Sequence, residues 1–305
     1  MRVRGLVVAT LGGALLAACS TVTVVNTVSS PFLNRSQRDL PYGTDPRQRL
    51  DVYRPVARGR LAPVLVFFYG GSWQSGDRRN YRFVGEAFSA AGFVTIIPDY
   101  RLYPSVRFPA FIDDGAHAVR WAAEHARDYG GDPERIFLMG HSAGAHIAAL
   151  LTLDERYLEK AGAPKGVIRA TVGLAGPYQF RSVSRAIRAV FDGSQAWSTT
   201  QPIHFVDGDE PPMLLLSGAL DDVVDPRSAS QLASRIREKG GWVRHVVYPA
   251  LGHIGIVTAL APGFEGRAPV MRDSVNFFRL HGADETVAPW PPPPRILSAK
   301  VAAAR

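Results

Sequence analysis

The chain has 305 residues, 46% of them hydrophobic, enough for one large core or for one core with a small insertion. It carries 35 Lys and Arg against 27 Asp and Glu, a formal charge of +8. The basic residues are scattered, with no Lys/Arg block and no basic helix interleaved with aromatics, so the charge reads as a solvated surface and no nucleic-acid partner is expected.

The first twenty residues read MRVRGLVVATLGGALLAACS. Arg2 and Arg4 form a positive n-region. Leu6 to Ala18 is an apolar stretch too short to span a bilayer as a helix. It ends at Ala17 and Ala18, before Cys19, the one cysteine of the chain, so no intramolecular disulfide can form. The stretch resembles a bacterial lipoprotein signal. The resemblance implies removal of residues 1–18, lipidation of Cys19 and a mature protein held at a membrane surface in the cell envelope. Residues 19–45 read as a tether, polar and irregular apart from the β-branched run TVTVV.

From Leu50 a regular alternation begins. LDVYRP and PVLVFFYG (63–70) are β-rich runs closed by Pro or Gly. YRFVGEAFSAAG (81–92) predicts a helix and FVTIIPDY (93–100) a buried strand. Residues 109–130 place Ala116, Val119, Ala122, Ala123 and Ala126 at helical spacing. RIFLMG (135–140) is a strand and AGAHIAALLTL (143–153) a helix. A strand follows in VIRATVGLAGPY (167–178) and another in PPMLLLSGALD (211–221). ASQLASRIREKG (229–240) is a helix, VRHVVYPA (243–250) a strand and APVMRDSVNFFRLHG (268–282) a final helix. Such alternation predicts an α/β domain over residues 46–282, a mostly parallel sheet with helices on both faces. Residues 179–209 lack long apolar periodicity and read as a small cap over the sheet. Residues 283–305, with PWPPPPR, read as a proline-rich tail without a core of its own.

The chemistry centres on Gly140-His141-Ser142-Ala143-Gly144. It fits the nucleophile elbow Gly-x-Ser-x-Gly, with a strand before and a helix after, as the mechanism needs. The tight turn requires flanking positions without a bulky Cβ and lifts the serine hydroxyl above the sheet. A serine needs a base. Of eight histidines, His117, His125, His146, His245 and His281 fall within or at the ends of regular elements. His141 should point away from its neighbour Ser142, and His204 lies in the cap. His253 lies in the glycine-flanked stretch YPALGHIGI between the last strand and the last helix, at the same edge of the sheet as Ser142. The orienting carboxylate is sought in GALDDVVDP. Asp221 is the first acid past the strand and is preferred to Asp222, while Asp225 precedes Pro226 and helps start a helix. Gly70 and Gly71 follow the strand 63–69 and turn N–H groups inward, so with the N–H of Ala143 they offer an oxyanion hole.

Taken together, YGGSW (69–73), PDYRLYP (98–104), GHSAG (140–144), GALDDVV (218–224) and LGHIGI (251–256) resemble the α/β-hydrolase carboxylesterases of the hormone-sensitive-lipase-like and kynurenine-formamidase-like branch. GGSW followed by GD is also similar to isoprenylcysteine methylesterases and feruloyl esterases. The resemblance implies an α/β-hydrolase fold and a serine hydrolase acting through an acyl-enzyme on a small-molecule ester, without metal or organic cofactor. It implies Ser142 as nucleophile, His253 as base, Asp221 as orienting acid, and Gly70, Gly71 and Ala143 as oxyanion donors. That family usually opens the oxyanion motif with histidine, and here the residue is Tyr69, expected to order the loop. Trp73 is assigned to substrate binding as a wall of the acyl pocket, with core packing as the other reading. Two other functions use the same residues: an arylformamidase-like amidase, and a surface-anchored binding protein with incidental esterase activity.

Overall fold

In the computed structural model of the protein, residues 21–27, 36–56, 59–180, 184–193 and 196–282 are described. The expected signal, Cys19 and the proline-rich tail lie outside the described residues. In chain order the elements are α1 (residues 21–27), β1 (Ser36–Pro41), β2 (Arg49–Tyr53), β3 (Ala62–Phe68), α2 (Arg82–Ala90), β4 (Val94–Pro98) and α3 (Ala110–His125). They continue with β5 (Gly131–His141), α4 (Ala143–Leu153), α5 (Arg156–Ala161), β6 (Ile168–Leu174), α6 (Arg185–Phe191) and β7 (Met213–Gly218). The last are α7 (Arg227–Glu238), β8 (Val243–Tyr248), α8 (His253–Thr258) and α9 (Val270–His281). Among the described residues no helix is long and apolar enough to cross a membrane.

The eight strands form one sheet in the order β1-β2-β4-β3-β5-β6-β7-β8. β3 to β8 are mutually parallel, while β2 runs antiparallel to both β1 and β4. The expected mostly parallel sheet is therefore present. Its central strands are continuous apolar runs because both faces are covered: Val64 to Phe68 and Ile136 to Met139 are fully buried. On one face Phe137 of β5 meets Phe278 of α9 at 4.9 Å and Phe93 at 6.4 Å, and Phe93 packs on Phe88 of α2. On the other face α3 lies so close to α4 that a Cβ on Gly115 would meet Ile147, Leu151 and Phe68. Leu232 and Ile236 of α7 join Ala145 and Ala149 of α4 over Met213 and Leu215.

The expected tether is corrected here. Ser36–Pro41 is a strand of the sheet, and residues 21–27 are helical, so the folded body begins before residue 46. β-branched residues favour strands, but Val22 and Val25 lie three apart, and as a helix both are 4% exposed in the core. The burial outweighs the local preference. Tyr81, the residue before α2, offers no side-chain cap. Asn26 of α1 supplies one: its Oδ1 accepts the Phe83 N–H at 3.1 Å and its Nδ2 donates to the Arg79 carbonyl at 2.9 Å. Asn26→Ala is therefore expected to lower stability by about 1 kcal/mol, as loss of a helix cap does. A urea titration would show this as a lower midpoint with unchanged slope, and an unchanged midpoint would mean that α1 does not cap α2.

Residues 179–209 form the insertion between β6 and β7, built from α6 and two 3-10 turns, Trp197–Thr200 and Pro202–Phe205. Its aromatic residues Phe180, Phe191 and Trp197 pack on one another, with Phe180–Trp197 at 5.5 Å and Phe180–Phe191 at 5.4 Å.

Candidate active site

β5 ends at His141 and α4 starts at Ala143, leaving Ser142 alone at the corner with φ 54° and ψ −120°. A non-glycine residue at positive φ is strained, and strain of this kind is tolerated where surrounding structure enforces it. Here both flanking positions are fixed by space. A Cβ on Gly140 would overlap the backbone of Gly144 and Ala145, and one on Gly144 would overlap the carbonyls of Phe68 and Tyr69. The Ser142 N–H is held by the Leu174 carbonyl at 2.9 Å. The turn thus points the serine at the carboxyl edge of the sheet and over the start of α4.

Three side chains from three elements meet there. The Ser142 hydroxyl lies 2.9 Å from His253 Nε2, and His253 Nδ1 lies 2.9 Å from Asp221 Oδ2. With Nδ1–H donated to the carboxylate, Nε2 is free to accept the serine proton. Asp221 Oδ1 accepts the N–H groups of Val223 and Val224, each at 2.9 Å. Burial pushes the Asp221 carboxyl up, but the His253 hydrogen bond and charge and these two amides outweigh it and hold the group below the usual carboxylate range. Asp222 is exposed. Asp225 accepts the Arg227 N–H and pairs with its side chain at the entry to α7. His253 is the first residue of the six-residue helix α8 rather than part of a loop. So short a helix, with Gly255 inside it, leaves no periodicity in the sequence.

The loop expected to hold the oxyanion leaves β3 at Tyr69. Gly71 has φ +134°, and a Cβ there would run into the backbone of Ser75, whose N–H bonds the Gly71 carbonyl at 3.0 Å. Gly70 passes so close to the elbow that a Cβ would sit 3.0 Å from both Ser142 Cβ and His141 Nδ1. Gly70 is thus packed against Ser142, and the N–H groups of Gly70, Gly71 and Ala143 belong to these two neighbouring stretches of backbone. None of them donates in a hydrogen bond of the turns and loops among the described residues.

Tyr69 orders this loop from below. Its ring is fully buried and stacks on Tyr81 and Tyr100. Its hydroxyl donates to Asp99 at 2.6 Å and accepts from Arg47 at 3.0 Å, while the Tyr100 hydroxyl holds the Tyr69 carbonyl at 2.8 Å. Asp99 also pairs with Arg78, whose guanidinium is shared with Asp51 and Asp39. Two residues after Asp99, Arg101 clamps Asp114, a fully buried acid that also accepts from Gln48 at 2.8 Å. The PDYRLYP stretch is thus the brace of the oxyanion loop. Buried carboxylates of this kind are tolerable only because each is paired and hydrogen-bonded.

Trp73 is 4% exposed and meets His146 at 5.0 Å, Phe191 at 4.8 Å and Phe111 at 6.2 Å. The ring is packed in an aromatic cluster, as the core-packing reading expects, and that cluster joins the loop after β3, the first turns of α4 and the cap. His146 donates from Nε2 to the Thr200 carbonyl at 2.8 Å, fastening α4 to the cap, and burial lowers its pKa to about 4. An open groove of about 310 Å³ lies between the cap and α7, lined by Gln179, Ile203, Ser230 and Arg235 among others, and includes no triad residue.

His141 is a residue that the sequence reading passed over. The His141 ring turns toward His253. Its Nε2 donates to the main-chain carbonyl of His253 at 2.9 Å, and the two rings lie 4.9 Å apart. Burial, then the neighbouring His253 charge, lower its pKa to about 3, so it stays neutral beside His253. It spans the elbow, the oxyanion loop and the backbone of His253, and acts as a positioning residue. The signal for it was its place in the pentapeptide, but no local pattern tells which way that ring turns. His141→Phe is expected to lower kcat about tenfold with little change in KM, and His141→Gln, which keeps a donor, to recover most of it. A KM rise without a kcat loss would remove His141 from this role.

A nucleophile elbow above a parallel sheet, with base and acid carried by the loops after later strands, defines the α/β-hydrolase fold. The chain belongs to the BD-FAE family, whose profile matches residues 50–236. It is 29% identical over 248 residues to a probable isoprenylcysteine alpha-carbonyl methylesterase of Arabidopsis thaliana, covering 73% of this chain and 51% of that protein. It is 32% identical over 240 residues to Esterase LipC of Mycobacterium tuberculosis, covering 71% of this chain and 59% of that one. The chain thus spans between half and three fifths of the length of these two relatives. In fold it is similar to Esterase B from Lactobacillus rhamnosis, with TM-score 0.76 and 20% identity over 92% of this chain and 98% of that one.

Proposed function

We propose that the protein is a serine carboxylic-ester hydrolase acting on short-chain or aryl esters through Ser142, His253 and Asp221. The observation that carries the reading is the continuous proton path, Ser142 Oγ to His253 Nε2 and His253 Nδ1 to Asp221 Oδ2, each 2.9 Å. His253 takes the serine proton as Oγ attacks the ester carbonyl carbon. The carbonyl oxygen gains the negative charge and rests on the N–H groups of Gly70, Gly71 and Ala143. Each such donor is worth on the order of 3 kcal/mol in the transition state. Asp221 stabilises the imidazolium, which hands its proton to the leaving alcohol. Water then repeats the cycle on the acyl-enzyme and frees the acid. The neighbouring buried His141 stays neutral and so does not repel the imidazolium.

Short acyl groups are favoured because Trp73, Phe180 and Phe191 fill the space between the oxyanion loop, α4 and the cap. The names of the two curated relatives, a methylesterase and an esterase, agree with ester chemistry and leave the acyl group open. The test is hydrolysis of p-nitrophenyl esters from acetyl to palmitoyl. The expected optimum is acetyl to butyryl; an optimum at long chains would overturn the short-chain assignment, and folded protein inactive on every ester would overturn the function. A lipid anchor on Cys19 belongs to the same reading, supported by the small residues and apolar stretch before it. Its check is the mass of the mature protein, which acylation would raise.

A further inference from the structure

We propose that Arg47, carried by the turn between β1 and β2, is the positioning residue that sets the direction of the Gly70 and Gly71 N–H groups, a role that rests on the reading of those two glycines as oxyanion donors.

A trans peptide is rigid, and its N–H points opposite to its carbonyl, so fixing one fixes the other. The Gly70 N–H shares its peptide with the Tyr69 carbonyl, which the Tyr100 hydroxyl holds at 2.8 Å. The Gly71 N–H shares its peptide with the Gly70 carbonyl. Gly76 lies so close to that carbonyl that a Cβ there would sit 2.9 Å from it. Between the two, the Gly71 carbonyl closes the turn by accepting from the N–H groups of Gln74 and Ser75, each at 3.0 Å. The directions of both donors therefore depend on where Tyr100 and Gly76 stand relative to Tyr69.

Arg47 ties these three residues together. Its Nε donates to the Tyr100 carbonyl at 2.7 Å, and its Nη2 donates to the Gly76 carbonyl at 2.5 Å and to the Tyr69 hydroxyl at 3.0 Å. One guanidinium thus joins the first residue of the loop, its far end and the segment that follows β4. All three acceptors are uncharged. Asp99 lies 3.9 Å from Nη2, and its carboxylate is already engaged by Arg78 and by the Tyr69 hydroxyl. The hydrogen bonds of Arg47 therefore fix geometry rather than neutralise an acid. A planar guanidinium suits that task because it donates from several nitrogens to acceptors spread apart, which a single ammonium nitrogen cannot do. The turn that presents Arg47 is itself closed. Asp45 Oδ1 accepts the Arg47 N–H at 2.8 Å, Gln48 Oε1 accepts the Asp45 N–H at 3.0 Å, and the Tyr42 N–H bonds the Gln48 carbonyl at 3.0 Å.

The test compares Arg47→Ala and Arg47→Lys with wild type on p-nitrophenyl acetate and with a trifluoromethyl ketone. In the ketone adduct Ser142 Oγ bonds to the carbonyl carbon, its proton passes to His253, and the C=O electron pair moves to an oxygen that needs the same donors as the ester. Arg47→Ala is expected to lower kcat about a hundredfold, as a donor misplaced by about 1 Å does, with KM within about twofold. Affinity for the ketone should fall by a similar factor. Arg47→Lys keeps the charge on one nitrogen and should stay about tenfold or more below wild type in kcat while melting close to it, so it decides the matter even where the alanine variant does not fold. A lysine variant with wild-type kcat would overturn the proposal, since charge alone would then suffice. Folded variants that lose kcat but bind the ketone as tightly as wild type would also overturn it, because the donors would still be in place. Wild-type protein that is inactive on the ester and unaffected by the ketone would instead overturn the oxyanion reading itself.

Discussion

Ser142→Ala is expected to lower kcat on p-nitrophenyl acetate by about 10⁵-fold or more, with the fold intact. Alanine meets the same φ of 54° that serine already accepts, and removes only the hydroxyl. What is lost is the nucleophile and the 2.9 Å contact that aligns it with His253. The oxyanion donors remain, so a small rate over water should survive. Asp221→Asn should cost roughly 10⁴-fold, because an amide can present its own N–H to Nδ1 and favour the wrong tautomer. Wild-type Asp221, held below the usual carboxylate range, stays ionised throughout the neutral region. A depressed carboxylate adds stability that is full above its unfolded value of about 3.9 and is lost as pH falls through the folded value, so this contribution disappears only below pH ~4. His141 and His146, at about 3 and about 4, also stay neutral above pH 5. Neither of these two histidines therefore changes charge between pH 8 and 5. Single-turnover rates across that range in wild type and variants are the measurement. Ser142→Ala protein keeping a tenth of the wild-type rate would mean that another nucleophile acts.

Gly144→Ala is expected to cost about 4 kcal/mol or more and to take activity with it. The new Cβ would fall on the carbonyls of Phe68 and Tyr69, which are backbone atoms of the central strand and of the oxyanion loop. Neither can move alone. Phe68 is registered against Gly140 of β5, and the Tyr69 carbonyl is held by Tyr100. Relaxation would therefore widen the gap between elbow and oxyanion loop, so stability and catalysis fail together. Gly266→Ala is the control, since nothing lies within 4 Å of a Cβ there. Thermal melts of both variants decide the matter: equal melting temperatures would show that the elbow has room that its backbone does not display.

The three residues proposed as the triad were legible because their placement is a matter of chain order. Ser142, Asp221 and His253 each follow a strand that the apolar runs announce, and parallel strands deliver their ends to one edge. Gly70, Gly71, Gly140 and Gly144 were legible for a related reason: a missing Cβ is visible in the sequence wherever a turn must be tight. The brace behind the oxyanion loop was not. Tyr69, Arg78, Asp99 and Asp51 come from four separate stretches, and no local pattern says that a guanidinium will be shared among three acids. The strand β1 and the helix α1 were missed because β1 is a short polar edge strand and α1 is a β-branched run that is helical only through what it packs against.

By itself, then, the sequence determined the alternation of strand and helix, the elbow pentapeptide, and the residues proposed as nucleophile, base and acid, since all of these depend on residue type and on position after an apolar run. Tertiary structure decided which way His141 turned, that Trp73 joined the cap to α4, and that Asn26 capped a helix 56 residues further on. Each of those is a contact between segments distant along the chain, fixed by the space left when the sheet and its helices pack, and that space is written in no single stretch of residues.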